Sequence, residues 1–183
     1  MPIRSYSAMY DTFIANVNKP EGITSRTAMQ RVKTLAGADK CGHAGTLDPL
    51  ARGVLIVCSG RATKVSDLLL DLEKEYVATV RLGQETDTLD REGPVTGQCP
   101  VPPLDGETVE SVLARFTGEI WQRPPMYSAV KKGGVPLYKL ARKGLVTDRE
   151  SRPVRVYSLE LISLSLPYMT VKVACSRGTY VRS

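Results

Sequence analysis

The stretch "CGHAGTLDPLARG", Cys41 to Gly53, decides how this chain reads. It holds the single histidine, His43, and an aspartate, Asp48, set between Leu47 and Pro49. A proline disfavours helical geometry for the residue before it, so Asp48 is pushed towards extended backbone that presents its side chain outward. Gly42, Ala44 and Gly45 carry little bulk and permit close approach of a large ligand. The following "GVLIVC" is a continuous apolar run that reads as a buried strand and would hold the loop rigid. The residues alone therefore give a carboxylate on a ligand-facing loop. The plainer alternative for an isolated Asp-Pro is a turn aspartate bonding its own backbone.

On the N-terminal side, "TFIANVNKP" alternates as a strand that stops at Pro20, and "PEGITS" reads as a turn. Ser25 is placed to cap a helix through "RTAMQRVKTLAG", with Ala28, Val32 and Leu35 as its apolar stripe and Gly37 as its stop. On the C-terminal side, "ATKVSDLLLDL" predicts a helix with Val65, Leu68 and Leu69 facing inward. "EYVATVRLG" predicts a strand that runs into an acidic loop, "QETDTLDREG", ending at Gly93. After the proline-rich "CPVPPLDGE", the segment "TVESVLARF" predicts an amphipathic helix with Val109, Val112, Leu113 and Phe116 on one side. "KKGGVPLYKLARKG" reads as a Gly-Gly turn and a short helix, with Pro136 near its start and Gly144 as its stop. Two long strands follow on either side of Pro167, and "CSRGTYVRS" reads as a strand end at Gly178 with a helix beginning. The class is α+β, with much of the sheet antiparallel.

At 183 residues, 42% apolar and 24% charged, the composition is that of one globular domain or slightly more. Lys and Arg outnumber Asp and Glu by 25 to 19, a mild basic excess that fits a polyanionic partner. The four cysteines are scattered without a C-x-x-C pair, and with one histidine a zinc site is not expected. Reduced thiols in a cytoplasmic protein are the expectation. No apolar run approaches the roughly 18 residues of a membrane span. Neither G-x-x-x-x-G-K-[ST] nor G-x-G-x-x-G occurs, so no nucleotide cofactor is indicated, and no G-x-S-x-G elbow accompanies His43. Any chemistry must rest on carboxylate, tyrosine and arginine.

Basic and aromatic residues interleave in "QRPPMYSAVKK" and "VPLYKLARKG", where Tyr127 and Tyr138 stand among Arg123, Lys131, Lys132, Lys139, Arg142 and Lys143. Such a surface suits RNA, cations meeting phosphates and rings stacking on unpaired bases. A solvated helix face over packed Tyr138 and Leu140 is the alternative.

Taken together, "GHAGTLDPLARGVLIVCSGRATK", "NKPEGITS", "KEYVATVRLGQETDTLDREG", "QRPPMYSAVKKGGVPLYKLARKG" with "RPVRVYSLEL", and "CSRGTYVRS" resemble the motifs of the TruB family of tRNA pseudouridine synthases. They follow the family's order and spacing from Phe13 to Ser183. The resemblance implies a pseudouridine-synthase fold: a mixed, largely antiparallel sheet flanked by helices, with a central RNA-binding cleft. It implies isomerisation of the T-loop uridine at tRNA position 55, flipped out of its stack and rearranged without a cofactor. Asp48 would be the catalytic aspartate and Arg182 the arginine that keeps it ionised and aimed. Tyr76 would stack on the uracil and move a proton. His43 would hold the opened T loop. Lys19, Lys64 and the insertion's Arg123, Tyr127, Lys131, Lys132, Lys139 and Arg142 would grip the RNA. No metal is implied. Residues 1–12 would be an N-terminal extension, and 13–183 a catalytic domain with an RNA-gripping insertion at about 122–152. Family members normally continue past this point with the last part of that domain and often a small C-terminal RNA-binding module. The domain is therefore expected to be C-terminally incomplete here and without that module, as a fragment or as a chain that a second polypeptide completes.

Three competing readings have distinct signatures. A tRNA-binding fragment without activity would bind in a salt-sensitive way, indifferent to Asp48→Asn. A relative of the guide-dependent archaeal and eukaryotic enzymes is disfavoured by the insertion. A hydrolase pairing Asp48 with Asp87 or Asp90 would release free base.

Overall fold

The computed structural model describes residues 12–183 and divides into two compact units, up to Leu72 and from Glu73 onward. The extension expected over 1–12 lies, Thr12 apart, outside the described residues.

In the first unit, strand β1 (Phe13–Lys19) leads through a turn to helix α1 (Ser25–Ala36). Strands β2 (Cys41–Ala44) and β3 (Gly53–Ser59) follow, then a 3-10 helix (Gly60–Val65) and the short helix α2 (Ser66–Leu70). The sheet has the order β1-β3-β2 and is antiparallel throughout. β3 lies in its middle, as its apolar run requires. Helix α1 covers one face and buries Ala28 against Leu55 and Val57, with Val17, Ile23, Met29, Val32 and Cys41 packed around them. Gly37, left-handed at φ +62°, ends the helix as expected.

Several expectations need correction here. Thr24, not Ser25, caps α1, its hydroxyl accepting Thr27 N–H at 3.0 Å. Leu35 is 88% exposed, outside the stripe. The quoted loop begins later than expected, because Cys41–Ala44 pairs with β3 and only the residues after Ala44 are irregular. Where one long helix was expected after β3, the chain forms a 3-10 turn and a five-residue helix, with Val65 and Leu68 exposed.

The second unit is built on a four-stranded antiparallel sheet of order β4-β11-β10-β7. Its strands are β4 (Lys74–Arg81), β7 (Gly118–Gln122), β10 (Arg152–Ser165) and β11 (Tyr168–Cys175). A ribbon of β5 (Gln84–Thr86) and β6 (Val95–Gln98) precedes helix α3 (Gly106–Ala114). A small hairpin, β8 (Lys131–Lys132) with β9 (Val135–Pro136), leads into helix α4 (Leu137–Ala141). Helix α3 packs on the sheet through Val109 and Leu113 against Val171, Leu159, Leu161 and Leu164. Val112 and Phe116 are exposed, so the helix's apolar side is narrower than the sequence suggests. "QETDTLDREG" begins as β5 rather than as loop. The edge strand β7, "GEIWQ", was not anticipated. After Cys175 the chain runs in turns, without the expected helix. Burial raises the thiol pKa of both Cys58 and Cys175, and all four cysteines are unbridged.

Candidate active site

Asp48 sits half-buried on the irregular backbone between β2 and β3. The residue before it is held twice by one hydroxyl. Ser25 Oγ donates to Leu47 O at 3.0 Å and accepts Leu47 N–H at 2.9 Å. The residue after it is also held twice, since Pro49 O accepts Gly22 N–H at 2.9 Å and Lys19 Nζ at 3.2 Å. Ala51 N–H closes a turn onto Asp48 O at 3.0 Å. With Pro49 restricting its geometry as well, Asp48 has its main chain fixed from both sides.

Lys19 requires a correction. The resemblance assigned it to phosphates, but its side chain is fully buried, and Nζ also donates to Pro20 O (2.9 Å) and Ile23 O (2.7 Å). Its ammonium gathers three carbonyls of the turn and the Asp48 loop, which is a structural task. Lys64, on the 3-10 helix, is exposed. His43 lies on β2 opposite Val57, and its Nδ1 meets Gly45 O at 2.5 Å. A carbonyl can only accept, so Nδ1 carries the proton, and in the neutral ring Nε2 is an acceptor.

Within the second unit, Arg182 is only 13% exposed at its side chain. Its guanidinium donates to Thr88 O (2.8 Å) and Tyr127 O (2.5 Å) and lies 3.6 Å from Asp90 Oδ2. The Asp90 carboxylate also accepts Thr88 Oγ1 at 2.7 Å and Glu92 N–H at 3.0 Å. The acidic loop is tight. Leu89 adopts φ +60°, and a Cβ at Gly93 would come within 2.3 Å of Asp87 Oδ1 and Thr88 Oγ1. The terminal stretch that carries Arg182 is tethered by Gln122, whose side-chain amide accepts Tyr180 N–H and donates to Tyr180 O, each at 2.9 Å. Beside it a cavity of about 250 Å³ is lined in part by Gln122, Arg152, Arg177 and Tyr180.

Tyr76 is half-buried on β4 opposite Val173, next to the cluster of Val156, Val173 and Cys175. Tyr127 is half-buried, its hydroxyl donating to Asp87 Oδ2 at 3.3 Å and its carbonyl accepting from Arg182. Arg123, Lys131, Lys132, Lys139 and Arg142 are all exposed. Lys132 Nζ reaches Asp148 O at 2.7 Å, and the Arg142 guanidinium lies 5.6 Å from the centre of the Tyr138 ring.

The sequence reading missed the residues that do the holding: Ser25 as a tether, Gln122, Asp90 and Thr88. Their bonds span 22, 58, 92 and 94 positions of chain, and no local spacing announces them.

Residues 33–181 match the family model of the TruB pseudouridylate synthase N-terminal domain. The chain is 49% identical over 168 residues to the tRNA pseudouridine synthase B of Francisella tularensis subsp. novicida, covering 91% of this chain and 56% of that protein. The same figures hold for the protein of that name from Francisella philomiragia. The chain thus spans just over half the length of these curated relatives. Among solved structures, it is similar to a Cbf5-Nop10-Gar1 complex, with a TM-score of 0.68 and 31% identity over 94% of this chain and 42% of the other. An H/ACA RNP bound to a substrate RNA containing 2'-deoxyuridine gives 0.65 and 28%, over 94% and 40%.

Proposed function

The chain belongs to the TruB family of pseudouridylate synthases, and we propose that it carries the catalytic aspartate of a tRNA pseudouridine synthase acting on the T-loop uridine. The observation that carries this reading is the fixed main chain around Asp48, pinned at Leu47 by Ser25 and at Pro49 by Gly22 and Lys19. A carboxylate that acts on a flipped nucleoside must be presented in one direction, and the scaffold rather than the side chain supplies that constraint.

Pseudouridylation breaks the N1–C1′ bond of uridine, turns the uracil and joins C5 to C1′. The C5 hydrogen leaves as a proton and a proton is regained at nitrogen, so the step is redox-neutral and needs no cofactor. Asp48 acts on the sugar as nucleophile or base, and must be ionised to do so. The resemblance assigns to Arg182 the charge that keeps such a carboxylate ionised, and the carbonyls of Thr88 and Tyr127 hold its guanidinium in one orientation. Tyr76, on a rigid strand, offers a ring for the uracil and a hydroxyl for proton movement. His43 holds the opened T loop. Lys64, Arg123, Lys131, Lys132, Lys139 and Arg142 supply the phosphate contacts of the T arm, while Tyr127 orders the acidic loop beside them. In this scheme residues 13–183 are a catalytic domain, with 122–152 as its RNA-gripping insertion, and the protein works in the cytoplasm. No helix among the described residues is long and apolar enough to cross a membrane.

The test is to map pseudouridine by carbodiimide modification and primer extension after incubating the protein with an unmodified tRNA transcript. A stop at the T-loop uridine, absent with Asp48→Asn, is expected. Conversion only when a guide RNA and accessory proteins are added would favour the guide-dependent type.

A further inference from the structure

We propose that Ser25 is the positioning residue for Asp48, an inference that rests on the pseudouridylation reading for its catalytic part. Ser25 is the first residue of α1 and is 2% exposed. Thr24 already caps that helix, so the Ser25 hydroxyl is not consumed by the helix end. It turns instead to Leu47 and meets both main-chain polar groups of that one residue, as a neighbouring strand would.

The consequence is directional. Holding Leu47 at N–H and C=O restricts both of its backbone torsions, and its carbonyl belongs to the peptide plane that also contains Asp48 N. Pro49 restricts Asp48 from the other side, and its own carbonyl is tied to Gly22 and Lys19. The direction of the Asp48 Cα–Cβ bond is thereby set, and side-chain rotation is what remains to aim the carboxylate. Ser25 can do this because α1 is anchored to the sheet through Ala28, one turn along, against Leu55 and Val57. The hydroxyl therefore ties Asp48 to the core of its own unit, and a shift of α1 would be felt at the carboxylate. Lys19 shares the anchoring of Pro49, but it also gathers the turn at 20–23, so its loss would disturb more than Asp48.

Ser25 does not touch the reacting atoms, so its signature lies in turnover rather than in binding. Misplacement of a reacting group by about 1 Å can cost on the order of 10²-fold in rate. Four proteins separate the hydroxyl from its bulk: wild type, Ser25→Ala, and the isosteric pair Ser25→Thr and Ser25→Val. Tritium release from uridine-labelled tRNA gives kcat and KM, and amide hydrogen exchange reads the Leu47 N–H without any need for activity. Ser25→Ala and Ser25→Val are expected to lower kcat about 10- to 100-fold with KM for tRNA within twofold of wild type. Ser25→Thr should exceed Ser25→Val in kcat at least about tenfold, since the two share a shape and differ in the hydroxyl. The Leu47 amide should lose protection in Ser25→Ala and Ser25→Val while the amides of α1 and β3 keep theirs. Unchanged kcat in Ser25→Ala, equal kcat in the Thr and Val variants, or unchanged Leu47 protection would overturn the proposal. A wild-type protein without turnover would contradict the pseudouridylation reading and, with it, the catalytic part of this one. The exchange comparison would still decide whether Ser25 fixes the loop.

Discussion

Two irregular stretches carry Asp48 and Arg182, the two charged residues assigned to the chemistry, and they are held in opposite ways. The loop with Asp48 is anchored through the main chain of its neighbours, Leu47 and Pro49. The stretch with Arg182 is anchored partly by the Arg182 side chain itself, which ties down Thr88, Tyr127 and Asp90. Both share one device, a side chain that serves N–H and C=O of a single residue: Ser25 on Leu47, and Gln122 on Tyr180. The difference says what each residue can be changed to. Around Asp48, order is imposed from outside the carboxylate. Around Arg182, order and the proposed function reside in the same guanidinium.

Asp48→Asn keeps the volume and the clamp and removes the charge. Turnover should fall at least about 10³-fold while the protein still melts cooperatively. Arg182→Ala should break the contrast in the other direction. It leaves two carbonyls and a carboxylate without their cation in a site where both side chains are less than 15% exposed. A loss of about 3 kcal/mol in stability is expected, together with loss of turnover, read by urea denaturation. Gln122→Ala removes both tethers of Tyr180 but no charge, so about 1–2 kcal/mol should be lost. Activity should fall by less than in Arg182→Ala, because the guanidinium keeps its own partners. The smallest effect belongs to the exposed cations. Neutralising Lys131, Lys139 and Arg142 should leave stability within about 0.5 kcal/mol. It should flatten the salt dependence of tRNA binding by roughly one unit of slope for each phosphate left without its cation.

Much of this was legible in the sequence, for reasons that can be named. The strand "GVLIVC" is apolar because it lies in the middle of its sheet, and "EYVATVRLG" alternates because one face of β4 packs inward. The Gly-Gly turn and Gly144 stop were likewise visible, since left-handed backbone favours glycine at Gly133, Gly134 and Gly144. Asp48 and its proline marked the loop. What the sequence could not convey was long-range. A lysine in "NKP" reads as a surface cation until the carbonyls of Pro20, Ile23 and Pro49 are seen to converge on it. Thr24 and Ser25 are both able to cap a helix, and the choice fell to the loop 22 positions away that needed the second hydroxyl. Leu35 fits the helical period but lies in the last turn of α1, where it is exposed. The strand "GEIWQ" is short and borders its sheet, so its pairing with β10 rather than its own pattern makes it a strand.

The most direct test of the central claim is tritium release from tRNA labelled at C5 of its uridines, with Asp48→Asn run alongside. C5 loses its hydrogen only when the new C–C bond forms. Release by the wild-type protein that vanishes in the variant is the expected result. Equal release from both proteins would contradict the assignment of Asp48, and absence of release from a wild-type protein that binds tRNA would contradict the assigned reaction.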